Sequence, residues 1–234
     1  MKRLEVLVTG ASRGIGSAIT LRFAQAGARI IGSARTAEAL ERIAAEVRAA
    51  GGEFIACPME VSDPKAVEAA VGQALAQTGG KLDVLVNNAG IFDIISAFEL
   101  RPEQFTRIME VNVNGPLYVT LACLEALARS KRAHVLNISS TAGQQGYPGG
   151  TAYCTSKYAL RGMSDGMRID LAERGIRIST IYPGATDTEI FDDLPGDWDR
   201  ASMNRPEDVS DVVWDTYNSD EERTDVNVPL PASS

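Results

Sequence analysis

Apolar residues along this chain of 234 follow two alternating patterns. Short unbroken apolar runs suit buried strands, and between them apolar positions recur every three or four residues, as on a helix face. Val6-Leu7-Val8 reads as a strand, ended by a glycine-rich turn from Gly10 to Gly16. Ile15, Ile19 and Phe23 then mark a helix that Gly27 closes. Arg29-Ile30-Ile31 begins a second strand. Thr36 is placed to cap the next helix, whose inner face is Leu40, Ile43, Ala44 and Val47, and Gly51-Gly52 ends it. Phe54 to Cys57 forms a third strand, and Asp63-Pro64 supplies a cap and a first-turn proline for a third helix. The alternation predicts a fourth strand over 82–86 and helical stretches over 105–111 and 117–128. A fifth strand over 134–138 follows, then a long helix carrying Tyr153 and Lys157 to Arg174, stopped by Gly175. A sixth strand over 176–181, a last helix opened by Pro206 with Val209, Val212 and Val213 inward, and a seventh strand at Val226-Asn227-Val228 complete the series.

Strands alternating with helices imply βαβ units and a parallel sheet. The strands are apolar almost throughout, as expected when helices cover both faces. The reading is one α/β domain over 1–234, a doubly wound parallel sheet of about seven strands, with no linker or repeat. The stretch 188–204, with Asp192, Asp193, Pro195, Gly196 and Asp197, lacks a periodic pattern and reads as a long loop with at most short helical turns.

Composition narrows the function classes. A net charge of -8 with no basic stripe argues against a nucleic-acid surface. The three cysteines, Cys57, Cys123 and Cys154, are odd in number, far apart and without a CxxC, so neither a disulfide framework nor a metal cluster is expected. Reduced thiols point to a cytoplasmic protein. Met1-Lys2-Arg3-Leu4 runs straight into the first strand, so no signal peptide is expected, and no apolar run approaches the ~18 residues of a membrane span.

Two places carry candidate chemistry. Thr9-Gly10-Ala11-Ser12-Arg13-Gly14-Ile15-Gly16 lies between the first strand and the first helix. Glycines there allow a tight turn and let a phosphate approach backbone amides at the helix N-terminus. The end of the second strand, Ser33-Ala34-Arg35, offers no carboxylate for ribose hydroxyls, whereas Arg35 can pair bidentately with a 2′-phosphate and Arg13 can approach the same group. That favours NADP(H) over NAD(H). The second place is Tyr153 and Lys157, four apart and therefore on one helix face. A phenol beside an ammonium is expected to ionise more easily than its ordinary pKa of ~10 allows, as a proton-passing tyrosine requires.

With Asn87-Asn88-Ala89-Gly90 after the fourth strand, the glycine turn and Tyr153-x-x-x-Lys157 together resemble the short-chain dehydrogenase/reductase family, classical type, from about Leu4 to Thr188. The resemblance implies a Rossmann fold and hydride transfer between nicotinamide and a carbonyl or secondary alcohol. It adds Ser140 as the group on the substrate oxygen and Asn112 as the holder of a water linking Lys157 to solvent. It also places Glu60 and Val61 at the adenine and Asn87, Ala89 and Gly90 at the riboses. Pro183, Gly184 and Thr188 fall at the nicotinamide carboxamide, and Tyr153 and Lys157 at the nicotinamide ribose. Homodimers or homotetramers built on the helices around 117–128 and 151–174 are the family expectation. Ile190, Phe191, Leu194 and Trp198 are candidates for an apolar lid, with Phe92, Ile94, Gln144, Gln145 and Tyr147 on the opposite wall. The competing class is a non-catalytic NADP(H) sensor or scaffold on the same fold. His134, the only histidine, starts a strand and reads as structural, and Cys154 reads as a packed helix residue.

Overall fold

A computed structural model describes residues 3–192, 194 and 197–229. Asp193, Pro195 and Gly196 of the expected loop, the N-terminal Met1-Lys2 and the tail 230–234 lie outside the described residues.

Seven strands form one all-parallel sheet in the order β3-β2-β1-β4-β5-β6-β7. They are β1 (Glu5–Thr9), β2 (Arg29–Ser33), β3 (Glu53–Ala56), β4 (Val84–Asn87), β5 (His134–Ile138), β6 (Arg177–Tyr182) and β7 (Asp225–Asn227). Helices α1 (Gly14–Gln25), α2 (Glu38–Ala49) and α3 (Pro64–Ala76) connect the first half, and α4 (Pro102–Met109), α5 (Gly115–Leu127), α6 (Thr151–Leu171) and α7 (Pro206–Asn218) the second. The doubly wound arrangement follows from the strands' own side chains. Val6 and Val8 face a cluster with Ile19, Phe23, Ile43, Val209 and Val213, while Leu7 between them faces Val67, Val71, Val119 and Leu127. Val84, Leu85 and Val86 repeat the alternation. Each such side chain contributes about 1.5–3 kcal/mol by leaving water, so neither face can be stripped of its helices.

The cap signals act as expected at two helices. Asp63 accepts from the amides of Lys65 and Ala66 at 2.9 and 3.2 Å, and the Thr36 hydroxyl accepts from the Ala39 amide at 3.3 Å. The two helical stretches of the middle segment are one continuous rod. Between α4 and α5, Glu110–Asn114 forms a π-helical turn in which the Gly115 amide reaches back to the Glu110 carbonyl. Pro116, one residue into α5, has no N–H for the Asn112 carbonyl four residues earlier, which favours such a rearrangement. The 188–204 segment carries two short 3₁₀ turns, Glu189–Phe191 and Arg200–Ser202.

The strand order reverses between β1 and β4, the position at which open α/β sheets bind ligands beyond their carboxyl ends.

Candidate active site

The turns after β1 and β4 are laced together at the switch point. The Asn88 carboxamide donates to the carbonyls of Thr9 and Gly10 at 2.9 and 3.2 Å, and the Thr9 hydroxyl accepts from the amides of Asn88 and Ala89, each at 3.0 Å. Gly10 and Gly14 hold φ of 65° and 53°, where a side chain is strained. At Gly16 an added Cβ would lie 2.0 Å from the Gly10 carbonyl oxygen. α1 begins at Gly14 with no side chain capping its first turn. The first-turn amides of Gly14, Ile15 and Gly16, beside Ser12, therefore fit a phosphate, and the cradle suits the dinucleotide that the sequence implies. Thr188 approaches from the other side: a Cβ on Gly14 would meet its methyl at 3.0 Å.

Around this cradle, Arg13 and Arg35 are exposed and in no ion pair with a described residue. Ser33, at the end of β2, is buried. Glu60 turns its carboxylate onto its own loop, accepting from the Ser62 amide and hydroxyl at 3.3 and 3.1 Å. Val61 is buried against Gly115. The Asn87 side chain donates to Thr120 on α5 and Asn137 on β5 at 3.0 and 2.9 Å, and its own Oδ1 has no partner among the described residues. Gly90 sits against the Asn112 carboxamide, where a Cβ would come within 3.3 Å of Oδ1. The Pro183 carbonyl accepts from Thr141 at 2.9 Å, tying the Pro183-Gly184 turn to the Ser140 loop.

Ser140, Tyr153, Lys157 and Asn112 converge where β5, α6 and the π turn meet. The Ser140 hydroxyl accepts from the Ala142 amide at 3.1 Å and lies close enough to the Tyr153 phenol to act on it. Lys157, 5% exposed, donates from Nζ to the Ile138 carbonyl at 2.9 Å, with Nζ 5.6 Å from the Tyr153 ring centre. Burial lowers its pKa to about 8. The Tyr153 phenol moves opposite to the expectation from spacing. Burial pushes it up to about 12, against a smaller downward pull from Ser140. Sharing a helix face sets the proximity of the ammonium, but removal of water penalises both charged forms and dominates here. The Asn112 side chain is tied to its neighbours. Its Oδ1 accepts from the Ile91 amide at 2.8 Å, and its Nδ2 donates to the Ile91 carbonyl and the Ser156 hydroxyl at 2.9 and 3.0 Å. The side chain thus fixes the loop after β4 onto α6.

The residues expected to meet substrate include an aromatic row. Phe92 packs on Tyr153 with ring centres 4.6 Å apart, Phe191 on Phe92 at 5.8 Å, and Trp198 on Phe191 at 5.2 Å. Phe92, from one expected wall, thus touches Phe191, from the other. Arg200 fastens the segment after β6, donating to Asp187 and Asp192 at 2.7 Å each and to the Thr188 carbonyl at 3.0 Å. Sequence reasoning passed over Asn88, Ser156 and Arg200. Asn88 stood inside a quoted motif, but its partners precede it by 78 and 79 residues, and nothing local marked Ser156 or Arg200.

His134 is buried, hydrogen-bonded through Nε2 to the Ser179 hydroxyl at 2.8 Å, and burial lowers its pKa to about 3, so it is neutral structural furniture. All three cysteines are free and buried. Among the described residues no cluster of metal-ligating side chains occurs, and no helix is long and apolar enough to cross a membrane.

A phosphate-ready turn and a proton-bearing phenol at the same end of one parallel sheet point to a class, the nucleotide-dependent α/β oxidoreductases. The comparisons with known proteins narrow it: the sequence pattern of the short chain dehydrogenase family matches residues 5–197, and the chain belongs to that family. Members are oxidoreductases that bind NAD(P)(H) and act on CH–OH or C=O groups. The chain is 32% identical over 215 residues to a 3-oxoacyl-[acyl-carrier-protein] reductase of Thermotoga maritima, covering 88% of this chain and 87% of that one. It is 32% identical over 219 residues to an NADP-dependent 3-hydroxy acid dehydrogenase of Shigella flexneri, covering 89% and 87%. Among solved structures, an alcohol dehydrogenase of Thermococcus sibiricus complexed with 5-hydroxy-NADP superposes with a TM-score of 0.91 at 28% identity, covering 100% of this chain and 98% of that one.

Proposed function

We propose that this chain is an NADP(H)-dependent carbonyl reductase, interconverting a ketone or aldehyde with its alcohol, with Tyr153 as the general acid/base. The observation that carries the reading is the Tyr153 phenol, held protonated by burial beside Ser140 and Lys157. A neutral phenol is the form that gives a proton to a reacting oxygen, and the same group takes the proton back in the oxidative direction. When bound, reduced nicotinamide supplies the hydride for the carbonyl carbon. Gly10, Ser12, Gly14, Ile15 and Gly16 hold the pyrophosphate, Arg13 and Arg35 the 2′-phosphate, and Glu60 and Val61 the adenine. Asn87, Ala89 and Gly90 border the riboses, Lys157 grips the nicotinamide ribose, and Pro183, Gly184 and Thr188 border the carboxamide.

In the reductive direction the Ser140 hydroxyl donates to the substrate oxygen as charge grows on it, and Tyr153 gives that oxygen its proton. The resulting phenolate is stabilised by the Lys157 ammonium and takes a proton back through it. A lysine with a pKa near 8 releases and regains a proton readily at neutral pH. Because the Asn112 side chain is occupied by Ile91 and Ser156, the proton route past it uses its backbone carbonyl, which Pro116 cannot engage. The preference for NADPH rests on two exposed arginines and the lack of a carboxylate in Ser33-Ala34-Arg35, and a relative named as NADP-dependent agrees with it. Assembly through α5 and α6 belongs to the same reading, since Leu121 on α5 and Tyr158 and Ile169 on α6 are exposed.

The test is cofactor consumption across a panel of ketones and aldehydes, run in parallel with NADPH and NADH and paired with fluorescence titration of each. Turnover with NADPH and tighter NADPH binding are expected. Tight NADPH binding without turnover of any carbonyl would favour a sensor, and tighter NADH binding would overturn the Arg35 argument.

A further inference from the structure

Tyr147 stands in the loop between β5 and α6, six residues before Tyr153. Its hydroxyl is buried and has no hydrogen-bond partner among the described residues. The ring packs tightly beneath Gly150, where a Cβ would lie 2.8 Å from Cε2 and Cζ of Tyr147 and 2.9 Å from the Cys154 sulfur. The neighbouring Gly149 lies on Ile94, with a Cβ there 2.6 Å from the Ile94 methyl. The loop is thus pinned to the same wall that carries Phe92. Burial first, and the adjacent Tyr153 and Cys154 after it, keep the Tyr147 phenol protonated, so it is an O–H donor. A buried donor without an acceptor is a standing cost that a ligand oxygen relieves.

The surroundings define what kind of oxygen. Beyond Tyr147 the wall is the aromatic row from Tyr153 through Phe92 and Phe191 to Trp198, whose indole N–H is also buried and without a partner among the described residues. Of the nearby cations, Arg200 is paired with Asp187 and Asp192, and Lys157 is buried, its Nζ on the Ile138 carbonyl and 5.6 Å from the Tyr153 ring centre. A carboxylate entering along the aromatic row would lose its water to apolar rings before any exposed, unpaired cation met it.

We propose that Tyr147 donates a hydrogen bond to a second, uncharged oxygen of the substrate, so that the site favours an apolar or aromatic ketone bearing an ester, amide or ketone oxygen beside the reacting carbonyl. The inference rests on the reductase reading and makes Tyr147 a specificity-determining residue of that site.

Three probes test it: methyl benzoylformate, which carries the second neutral oxygen, benzoylformate, which carries a carboxylate, and acetophenone, which carries neither. Each is assayed with NADPH for the wild type, Tyr147→Phe and Tyr153→Phe. The expected result is a loss of about tenfold in kcat/KM for methyl benzoylformate in Tyr147→Phe, with acetophenone changed less than about twofold. Benzoylformate is expected to be the poorer of the two oxygenated probes in the wild type. The melting temperature of Tyr147→Phe should be unchanged or higher, because an unpaired hydroxyl is removed. Equal losses for acetophenone and the ester, no loss for either, or a preference for the carboxylate would overturn the inference. Retained activity in Tyr153→Phe would instead sink the reductase reading. Should the wild type reduce none of the three, calorimetric binding of methyl benzoylformate to the NADPH complex decides the inference alone. Binding about tenfold weaker in Tyr147→Phe upholds it, and equal binding overturns it.

Discussion

Replacing Lys157 with methionine should make the protein more stable while removing its activity. Lys157 is 5% exposed, and its ammonium has one hydrogen-bond acceptor, the Ile138 carbonyl at 2.9 Å. Burial lowers its pKa from 10.5 to about 8. Keeping the group charged in the folded protein at pH 7 therefore costs on the order of 3 kcal/mol relative to the unfolded chain. Methionine is similar in length and carries no charge to desolvate, but it forfeits the bond to Ile138, a loss of about 1–2 kcal/mol. The balance is a gain of about 1–2 kcal/mol, a rise in Tm of about 4 °C for a domain of this size. The pH dependence gives the argument its sign. The folded pKa lies below the unfolded one, so between pH 8 and 10.5 the unfolded chain binds the extra proton. The wild type accordingly becomes more stable as pH rises through that window. The advantage of Lys157→Met should be full at pH 7 and shrink toward pH 10. Urea unfolding at pH 7, 9 and 10 measures this directly. A variant less stable than wild type at pH 7, or a difference independent of pH, would refute the reasoning.

Three further outcomes follow from the site. Gly16→Ala places a Cβ 2.0 Å from the Gly10 carbonyl oxygen and 2.5 Å from the Asn88 amide nitrogen, both rigidly held, so NADPH affinity by fluorescence titration should fall at least tenfold, with stability down by about 1–3 kcal/mol. Arg35→Asp supplies the carboxylate missing after β2 and removes a cation, and should shift the ratio of NADPH to NADH dissociation constants by about 100-fold toward NADH. An unchanged ratio would remove Arg35 from the site. Asn112→Ala unpins Ile91 from Ser156 and leaves the half-buried backbone groups of Ile91 without their side-chain partner; a loss of about 1–3 kcal/mol in urea unfolding is expected, with activity falling alongside.

The fold was largely legible in the chain because its strands and helices differ in period and glycines or prolines mark most boundaries. Asp63-Pro64, Gly51 and Gly175 act in the structure as their chemistry predicts, with Gly51 and Gly175 at φ of 80° and 68°. The glycine turn and the Tyr153–Lys157 spacing were legible for the same reason: they are local. What escaped depends on contacts distant in sequence or on solvation. The π turn at Glu110–Asn114 merges two expected helices, and the Asn112 side chain meets Ile91 and Ser156, 21 and 44 residues away. The aromatic row joins Phe92 to Phe191 across almost half the chain. The direction of the Tyr153 pKa could not come from spacing, since spacing fixes which groups are neighbours but not how much water they keep.

The central claim is that Tyr153 gives the proton that accompanies hydride transfer. Single-turnover oxidation of NADPH, with a carbonyl reduced by the wild type, tests it in Tyr153→Phe. The account predicts a fall of about 10²–10⁴-fold in that rate, with NADPH still bound, weakened by no more than about tenfold for the lost Tyr153 contact to the ribose, because the cradle around Gly10 to Gly16 is untouched. A Tyr153→Phe protein that binds NADPH normally and transfers hydride at the wild-type rate would contradict it.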